Sequence, residues 1–383
     1  MKCIINGKLI LPDRIVENRA ILFRDHIEAI PETRNIPSSG LEIYDARGKY
    51  VAPGLVDVHC HGGVGEDTSD ANPDGIRKMS RALIENGVTS WLPTTMTLPL
   101  EELDAIFATL RDARKESRHK NTWHGAEILG ANMEGPFINP KKKGAHKEEY
   151  IIPPSAAYVK KHQDIIRLLT IAPEVEGGME FIDEIHRDTD IALSMGHSAA
   201  SYEEAMEAIQ RGVTHATHLF NAMTGVLHRE PGMVGAALSS KVNCELIADT
   251  FHIHPGLFQM VAKAKGKHLI LITDCMRAGG LPDGQYDLGG QTATVSGIQC
   301  RLEDGTIAGS VLRLNKAVEN VMRYTDLPIW EIVAAASLNP ATAIGEDKRK
   351  GSLEVGKDAD IIIADENFTI QKTFVGGNCE YAK

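Results

Sequence analysis

No stretch of the 383-residue chain approaches the ~20 consecutive apolar residues of a membrane span. The opening residues, MKCIING, carry neither a basic leader nor the long apolar run of a secretory signal. The six cysteines (Cys3, Cys60, Cys244, Cys275, Cys300 and Cys379) show no CxxC spacing and no pairing pattern. In a chain of this length they read as reduced thiols, mostly small buried hydrophobes, and the expected compartment is the cytoplasm. An excess of basic charge is missing as well. With 41 Lys+Arg against 52 Asp+Glu the formal net charge is −11, which argues against nucleic acid or an anionic membrane as partner. A small anionic substrate held by a few local cations stays open. Also absent are a GxxxxGK[ST] phosphate loop, a GxSxG nucleophile elbow and a GxGxxG turn after the first strand of the central region.

What is present is an ordinary globular composition, 43% hydrophobic and 24% charged, which rules out disorder and fibres. Residues 1–53 and 347–383 both alternate short β-type runs with turns, and Asn6-Gly7 is a hairpin signal. Neither end is long enough to bury a core comfortably, so one small β-sandwich domain built from both is expected. The middle, 54–346, alternates strand-like apolar runs with amphipathic helical stretches. Eight strands are expected: 55–61, 88–95, 128–135, 167–174, 191–197, 213–220, 244–252 and 268–274. Asn72-Pro73 opens one helix and Gly87 closes it; Ser201 with Glu204 forms a capping box, and Gly212 follows the last turn. Eight β/α units in ~250 residues predict an α/β fold, a (β/α)8 TIM-like barrel. An open doubly wound sheet is the alternative, and it lacks its glycine fingerprint. Residues 278–310 are Gly-rich and break the rhythm; they read as a hairpin insertion at the barrel mouth, either a gate or a plain structural flap. Helices from Val311 to Ala343 follow, with a break at Asn339-Pro340.

Polar residues collect at the predicted strand ends: His59 and His61, Thr94 and Thr95, Glu134, Glu174, His197, His218, His252 and Asp274. A barrel brings all such ends to one face. Charged groups there need a partner, and a divalent metal supplies one. Side chains at i and i+2 share a face of a strand, so His59 and His61 point together and Cys60 points away. A His-x-His pair suits Zn²⁺ or Fe²⁺; Glu134, His197, His218 and Asp274 extend the set. His215 and His218 differ in parity, and His218, at the strand end, is the candidate; His215 is expected to pack outward. His252 is preferred to His254, which precedes Pro255 and starts the next helical region. By parity Cys60 and Cys275 face away from the site, which argues against a thiol nucleophile.

The run Ala52-Pro53-Gly54-Leu55-Val56-Asp57-Val58-His59-Cys60-His61-Gly62 resembles the first barrel strand of the amidohydrolase superfamily. Glu134-Gly135-Pro136-Phe137, Gly196-His197-Ser198, His218 to Met223 and Thr273-Asp274 resemble one branch of it, the N-acetylglucosamine-6-phosphate deacetylase family. The likeness covers essentially the whole chain. It implies hydrolysis of the acetamide of an amino-sugar phosphate, in amino-sugar catabolism or recycling. Urease-like and dihydroorotase-like members carry a carboxylated lysine at the end of strand four; here that strand ends in Pro173-Glu174, and Glu134 takes the carboxylate role. The resemblance implies one or two divalent ions per subunit, Zn or Fe, on His59, His61, Glu134, His197 and His218, with Glu134 bridging if there are two. It makes Asp274 the general base and then the acid, and His146, in the basic loop 141–146, the donor to the substrate carbonyl. The three lysines of that loop read as solvated. Asn221 and Ala222 follow strand six, where backbone N–H groups commonly bind phosphate. Arg229 offers a forked cation. By resemblance Arg229 and His252 would reach the phosphate from a neighbouring subunit, which implies a homodimer with shared active sites. Competing readings are a deacetylase for N-acetylgalactosamine 6-phosphate, a nucleobase-type aminohydrolase and a barrel whose chemistry has decayed.

Overall fold

The computed structural model describes residues 1–36, 39–119 and 122–383. Eight parallel strands form the centre: β1 (Leu55–Cys60), β2 (Val88–Thr95), β3 (Ala131–Glu134), β4 (Ile166–Ile171), β5 (Ala192–Met195), β6 (His215–Ala216), β7 (Asn243–Ile247) and β8 (Leu269–Ile272). Each pairs in parallel with the next, with registers such as Trp91↔Asp57, Met133↔Leu169 and Leu246↔Leu271. The ring closes where Cys60 bridges Cys275, with Asp274 N–H donating to the His59 carbonyl at 2.8 Å and His61 N–H to the Cys275 carbonyl at 2.9 Å. The barrel with a small β domain expected from the sequence is therefore the observed fold.

β2 and β8 are buried along their whole length. Helices cover the outer face of such strands and the lumen covers the inner, which is why β8 reads as the unbroken run LILI. The helix punctuation acts as read. In α1 (Pro73–Ile84) the Asn72 side chain accepts the Asp74 N–H, and Gly87 turns at φ 78°. In α2 (Tyr202–Arg211) Ser201 and Glu204 make a reciprocal capping box, and Gly212 caps the C-terminus.

Several boundaries differ from expectation: β4, β5 and β8 end two or three residues early, at Ile171, Met195 and Ile272. The third run splits into Glu127–Ile128 and Ala131–Glu134 around Gly130. A side chain there would meet the Ile165 carbonyl and Arg167. β6 and β7 stop at Ala216 and Ile247, well short of 220 and 252. Pro340 lies inside a short helix, Leu338–Ala343, and the break precedes it at Ser337. Pro in a first helical turn removes no intrahelical hydrogen bond, so it did not have to end the helix.

Both chain ends build a pair of sheets around a second core. Ile4, Phe23, Val51, Leu353, Ile361 and Phe374 are among its buried residues, and the Phe23 and Phe374 rings meet edge-on at 5.3 Å. Tyr50–Pro53 pairs antiparallel with Ile361–Ala364, which ties the two ends together. The 278–310 insertion is a three-stranded antiparallel meander rather than a hairpin: β9 (Gly284–Leu288), β10 (Gln291–Ser296) and β11 (Gln299–Leu302). Its Gln291 amide donates to the Ala145 carbonyl at 2.5 Å, pinning it over the loop after β3. Among the described residues no helix is long and apolar enough to cross a membrane.

Candidate metal and substrate site

Three of the polar residues at the barrel mouth share one backbone device. β5 ends at Met195, β6 at Ala216 and β8 at Ile272. Two residues beyond each stand His197, His218 and Asp274, all left-handed, at φ 47°, 29° and 49°. Such a conformation costs a non-glycine residue roughly 1–3 kcal/mol, and each is held by a bond that offsets it. His197 Nδ1 donates to the Lys142 carbonyl at 2.8 Å, His218 N–H to Glu245 Oε2 at 3.2 Å and Asp274 N–H to the His59 carbonyl at 2.8 Å. The turns swing these side chains off the pleat and over the barrel axis.

They meet His59 and His61 from β1 and Glu134 from β3. Glu134 Oε1 lies 2.9 Å from His218 Nε2 and 3.1 Å from His197 Nε2. Its Oε2 lies 3.0 Å from His61 Nε2 and 3.5 Å from His59 Nε2. One carboxylate thus separates two imidazole pairs. Asp274 Oδ1 is 3.2 Å from His61 Nε2 and 3.5 Å from His59 Nε2. Burial alone would raise the Asp274 carboxyl, but His59 and His61 outweigh it and hold it at about 2. His61 shows the mirror effect: burial lowers it, Asp274 and Glu134 outweigh burial, and it stands at about 9.

The cluster fits a divalent cation. His197 and His218 bring their Nε2 atoms to 3.0 Å, and His59 and His61 to 3.3 Å. Two ring nitrogens at that separation share at most one proton, and a cation between them satisfies both lone pairs. The Nδ1 atoms of His61 and His218 are buried without a partner. The imidazole and carboxylate donor set suits Zn²⁺ or Fe²⁺.

His146 differs in kind. Its Nδ1 accepts the Thr97 N–H at 3.1 Å, so its proton sits on Nε2, which faces Glu134 Oε2 at 3.5 Å. His59 and His197 are the reverse: their Nδ1 atoms face Glu245 and a carbonyl, so Nε2 presents a lone pair. Proximity alone groups Glu134 with His146 and His197, but the tautomer makes His146 a donor, and His218 is the nearer partner of Glu134. Burial, with His197 beside it, pulls the His146 ring down to about 4 and keeps it neutral.

A cavity of about 440 Å³ opens above the cluster. Asn221, Ala222 and His252 also line it, and Met96, Leu288 and Ile307 contribute apolar surface. His252 was expected to serve a neighbouring subunit; it lies in this chain's own cavity instead. It is not on a strand. Asp249 accepts the backbone N–H groups of Phe251 and His252 and, at 2.6 Å, the His252 ring, so a local turn replaces strand pairing there. Arg229 is exposed and outside this cavity. His215 is buried against Thr214 and Asn243, away from the cluster, and His254 caps the next helical turn, as expected. Cys60 and Cys275 line a separate small cavity behind the site.

Some contributors had gone unread. Glu174 does not face the cluster. It accepts from Asn139, Ser198 and Ala199, and so braces the His197 turn. Lys141 and Lys142, read as solvated, line the cavity, and Lys142 Nζ donates to the Met223 carbonyl. Glu245, buried behind His59, sits mid-strand, where the strand-end pattern does not mark it. An inward-facing carboxylate in an otherwise apolar run was the available signal.

Residues 50–379 match the Amidohydrolase family. The chain belongs to that family. This amidohydrolase is 38% identical to the N-acetylglucosamine-6-phosphate deacetylase of Bacillus subtilis (strain 168), over 97% of this chain and 95% of the relative. It is 36% identical to the N-acetylgalactosamine-6-phosphate deacetylase of Escherichia coli O157:H7, over 88% and 89%. Its fold superposes on the crystal structure of N-acetylglucosamine-6-phosphate deacetylase from Pasteurella multocida with a TM-score of 0.94, 29% identity and full coverage of both chains.

Proposed function

We propose that this amidohydrolase hydrolyses the acetamide of N-acetylglucosamine 6-phosphate, giving glucosamine 6-phosphate and acetate. One observation carries the reading. A single cavity is lined by a His/Glu/Asp cluster, a neutral imidazole donor, the Asn221–Ala222 turn and His252. That puts groups suited to an amide and to a phosphate around one small molecule, in a chain that matches a deacetylase along nearly its whole length.

His59, His61, Glu134, His197 and His218 would hold one or two divalent ions, zinc or iron. Such an ion polarises the amide carbonyl and lowers the pKa of water, from 15.7 towards ~7. The protein's own residues do the rest. His146 Nε2–H donates to the carbonyl oxygen as negative charge develops on it. Asp274, ionised, takes a proton from the attacking water as the new C–O bond forms. It returns that proton to the nitrogen as the C–N bond breaks, so the amine leaves neutral. The Ala222 backbone N–H, with the His252 ring, would receive the phosphate; the Asn221 N–H is held by the His218 carbonyl at 3.0 Å and sets the turn. Arg229 would reach it from a second copy: its loop is exposed and carries the outward apolar pair Val226 (53% exposed) and Leu227 (62%). The working form is then a cytoplasmic homodimer with shared sites, in amino-sugar catabolism or recycling.

A second reading has the C4 epimer as substrate, and the relatives at 38% and 36% identity named for the gluco compound favour the first over it, against one at 36% named for the galacto compound. A deacetylation assay on N-acetyl hexosamine 6-phosphates, with and without chelator, separates the two. The expected result is chelator-sensitive acetate release, fastest with the gluco compound. Faster turnover of the galacto epimer favours the second reading. No release from any of them, with metal bound, sinks both and points to an aminohydrolase acting on nucleobases.

A further inference from the structure

Glu245 is the inward-facing carboxylate of β7 and has no exposed surface. A carboxylate removed from water needs strong partners, and the two on its Oε2 come from different halves of the metal cluster. Oε2 lies 3.0 Å from His59 Nδ1 and accepts the His218 backbone N–H at 3.2 Å. The Glu245 carbonyl also accepts the Leu219 N–H at 2.8 Å. Its Oε1, equally buried, has no partner. The neighbouring buried carboxylate, Asp57, is fully engaged elsewhere, by the Thr273 hydroxyl at 2.6 Å and by the His59 and Thr273 backbone. Of the four metal-facing histidines, His59 alone has a carboxylate at Nδ1; His197 has a carbonyl, and His61 and His218 have no partner there.

We propose that Glu245 is the positioning residue of the His59–His61 half of the cluster. It holds the His59 proton on Nδ1, aims the Nε2 lone pair into the site and raises that nitrogen's basicity. Through the His218 backbone it also fixes the distance between the two halves. Binding of a divalent cation by His59 and His61 therefore depends on a residue that touches neither cation nor substrate. The inference rests on the reading of His59 as a ligand. It deepens that reading by saying what makes one half of the cluster competent.

The test is an equilibrium titration of apo-protein with Zn²⁺, and with Co²⁺ followed by its visible absorption, on wild type, Glu245→Gln and Glu245→Ala. Carboxylates that orient a ligating histidine typically change metal affinity 10- to 100-fold. Glu245→Gln keeps the volume and one acceptor but removes the charge. It should weaken one equivalent by about 10-fold or more, shift the Co²⁺ spectrum of that equivalent alone, and leave the unfolding midpoint of the apo-protein near wild type. Glu245→Ala should weaken the same equivalent further; if it fails to fold, the Gln variant carries the test. Wild-type affinity and spectrum in Glu245→Gln overturn the proposal. So does a wild type that binds one equivalent indifferent to the substitution, or a Gln variant that weakens both equivalents alike. A wild type that binds its metal but deacetylates no amino-sugar phosphate sinks the functional reading and leaves this result standing.

Discussion

Histidines in the same cavity carry opposite hydrogen-bonding sense, and each is set by a single contact behind the ring. His197 leans its Nδ1–H on the Lys142 carbonyl and offers a lone pair forward; His146 takes the Thr97 N–H on Nδ1 and offers a proton forward. Asp274 completes the set as a carboxylate that His59 and His61 keep ionised. Replacing it by Asn keeps size and shape but removes the proton acceptor. Asp274→Asn should keep fold and metal content and lose kcat by several orders of magnitude; a variant retaining more than ~10% of wild-type kcat would refute the general-base role. The residues legible from sequence were those whose neighbours are fixed by strand parity, as with His59, Cys60 and His61. His146 carried no such signal. Its loop reads as a basic surface turn, and only the fold reveals that the Thr97 backbone sits behind the ring.

The strands deliver chemistry at their ends, and most of them end early. Parity predicts well inside β1, where pairing with β2 and the Cys60–Cys275 bridge enforce the pleat. It says nothing about His197, His218 and Asp274, which stand beyond their strands on left-handed residues. The sequence marks those positions as strand ends without revealing the turn that reorients them. Asp249 likewise replaced the expected tail of β7 by satisfying two backbone donors with its own side chain. Glycine matters at one such end. Gly135, at φ 77°, leaves the place of a Cβ 2.0 Å from Thr97 Oγ1. Gly135→Ala meets both the backbone strain and that clash, and should destabilise the protein by about 1–3 kcal/mol in urea unfolding. Because Thr97 supports His146, kcat should fall as well; unchanged stability and rate would show that the β3 end tolerates repositioning.

At the scale of the molecule, barrel and β domain are joined by a buried ion cluster. Lys350, 1% exposed at its side chain, places Nζ 2.7 Å from Glu127, 2.9 Å from Asp358 and 2.7 Å from Asp360. Lys350→Met would leave three carboxylates without their central cation and should cost ~3–5 kcal/mol in denaturant unfolding. Burial would raise the Glu127 carboxyl, but Lys350 and Arg349 outweigh it and hold it at about 2, against an ordinary 4.5. A depressed carboxyl stabilises the fold above its unfolded pKa and loses that contribution as pH falls from about 4.5 to about 2. Glu127→Gln should flatten stability against pH in that window; an unaltered acid slope would remove the residue from the account. Between molecules, Arg229→Ala should raise KM for the phosphorylated sugar far more than for its unphosphorylated counterpart. Equal effects on the two would detach Arg229 from the phosphate.

The pairing of Tyr50–Pro53 with Ile361–Ala364 also sets the order of events on the ribosome. The first strand is made about 300 residues before the partner that covers its open edge. Throughout that interval the nascent chain presents an unpaired, largely apolar sheet edge, the kind of surface that recruits other chains. Barrel synthesis fills the delay. The small domain is therefore begun before the barrel and sealed after it.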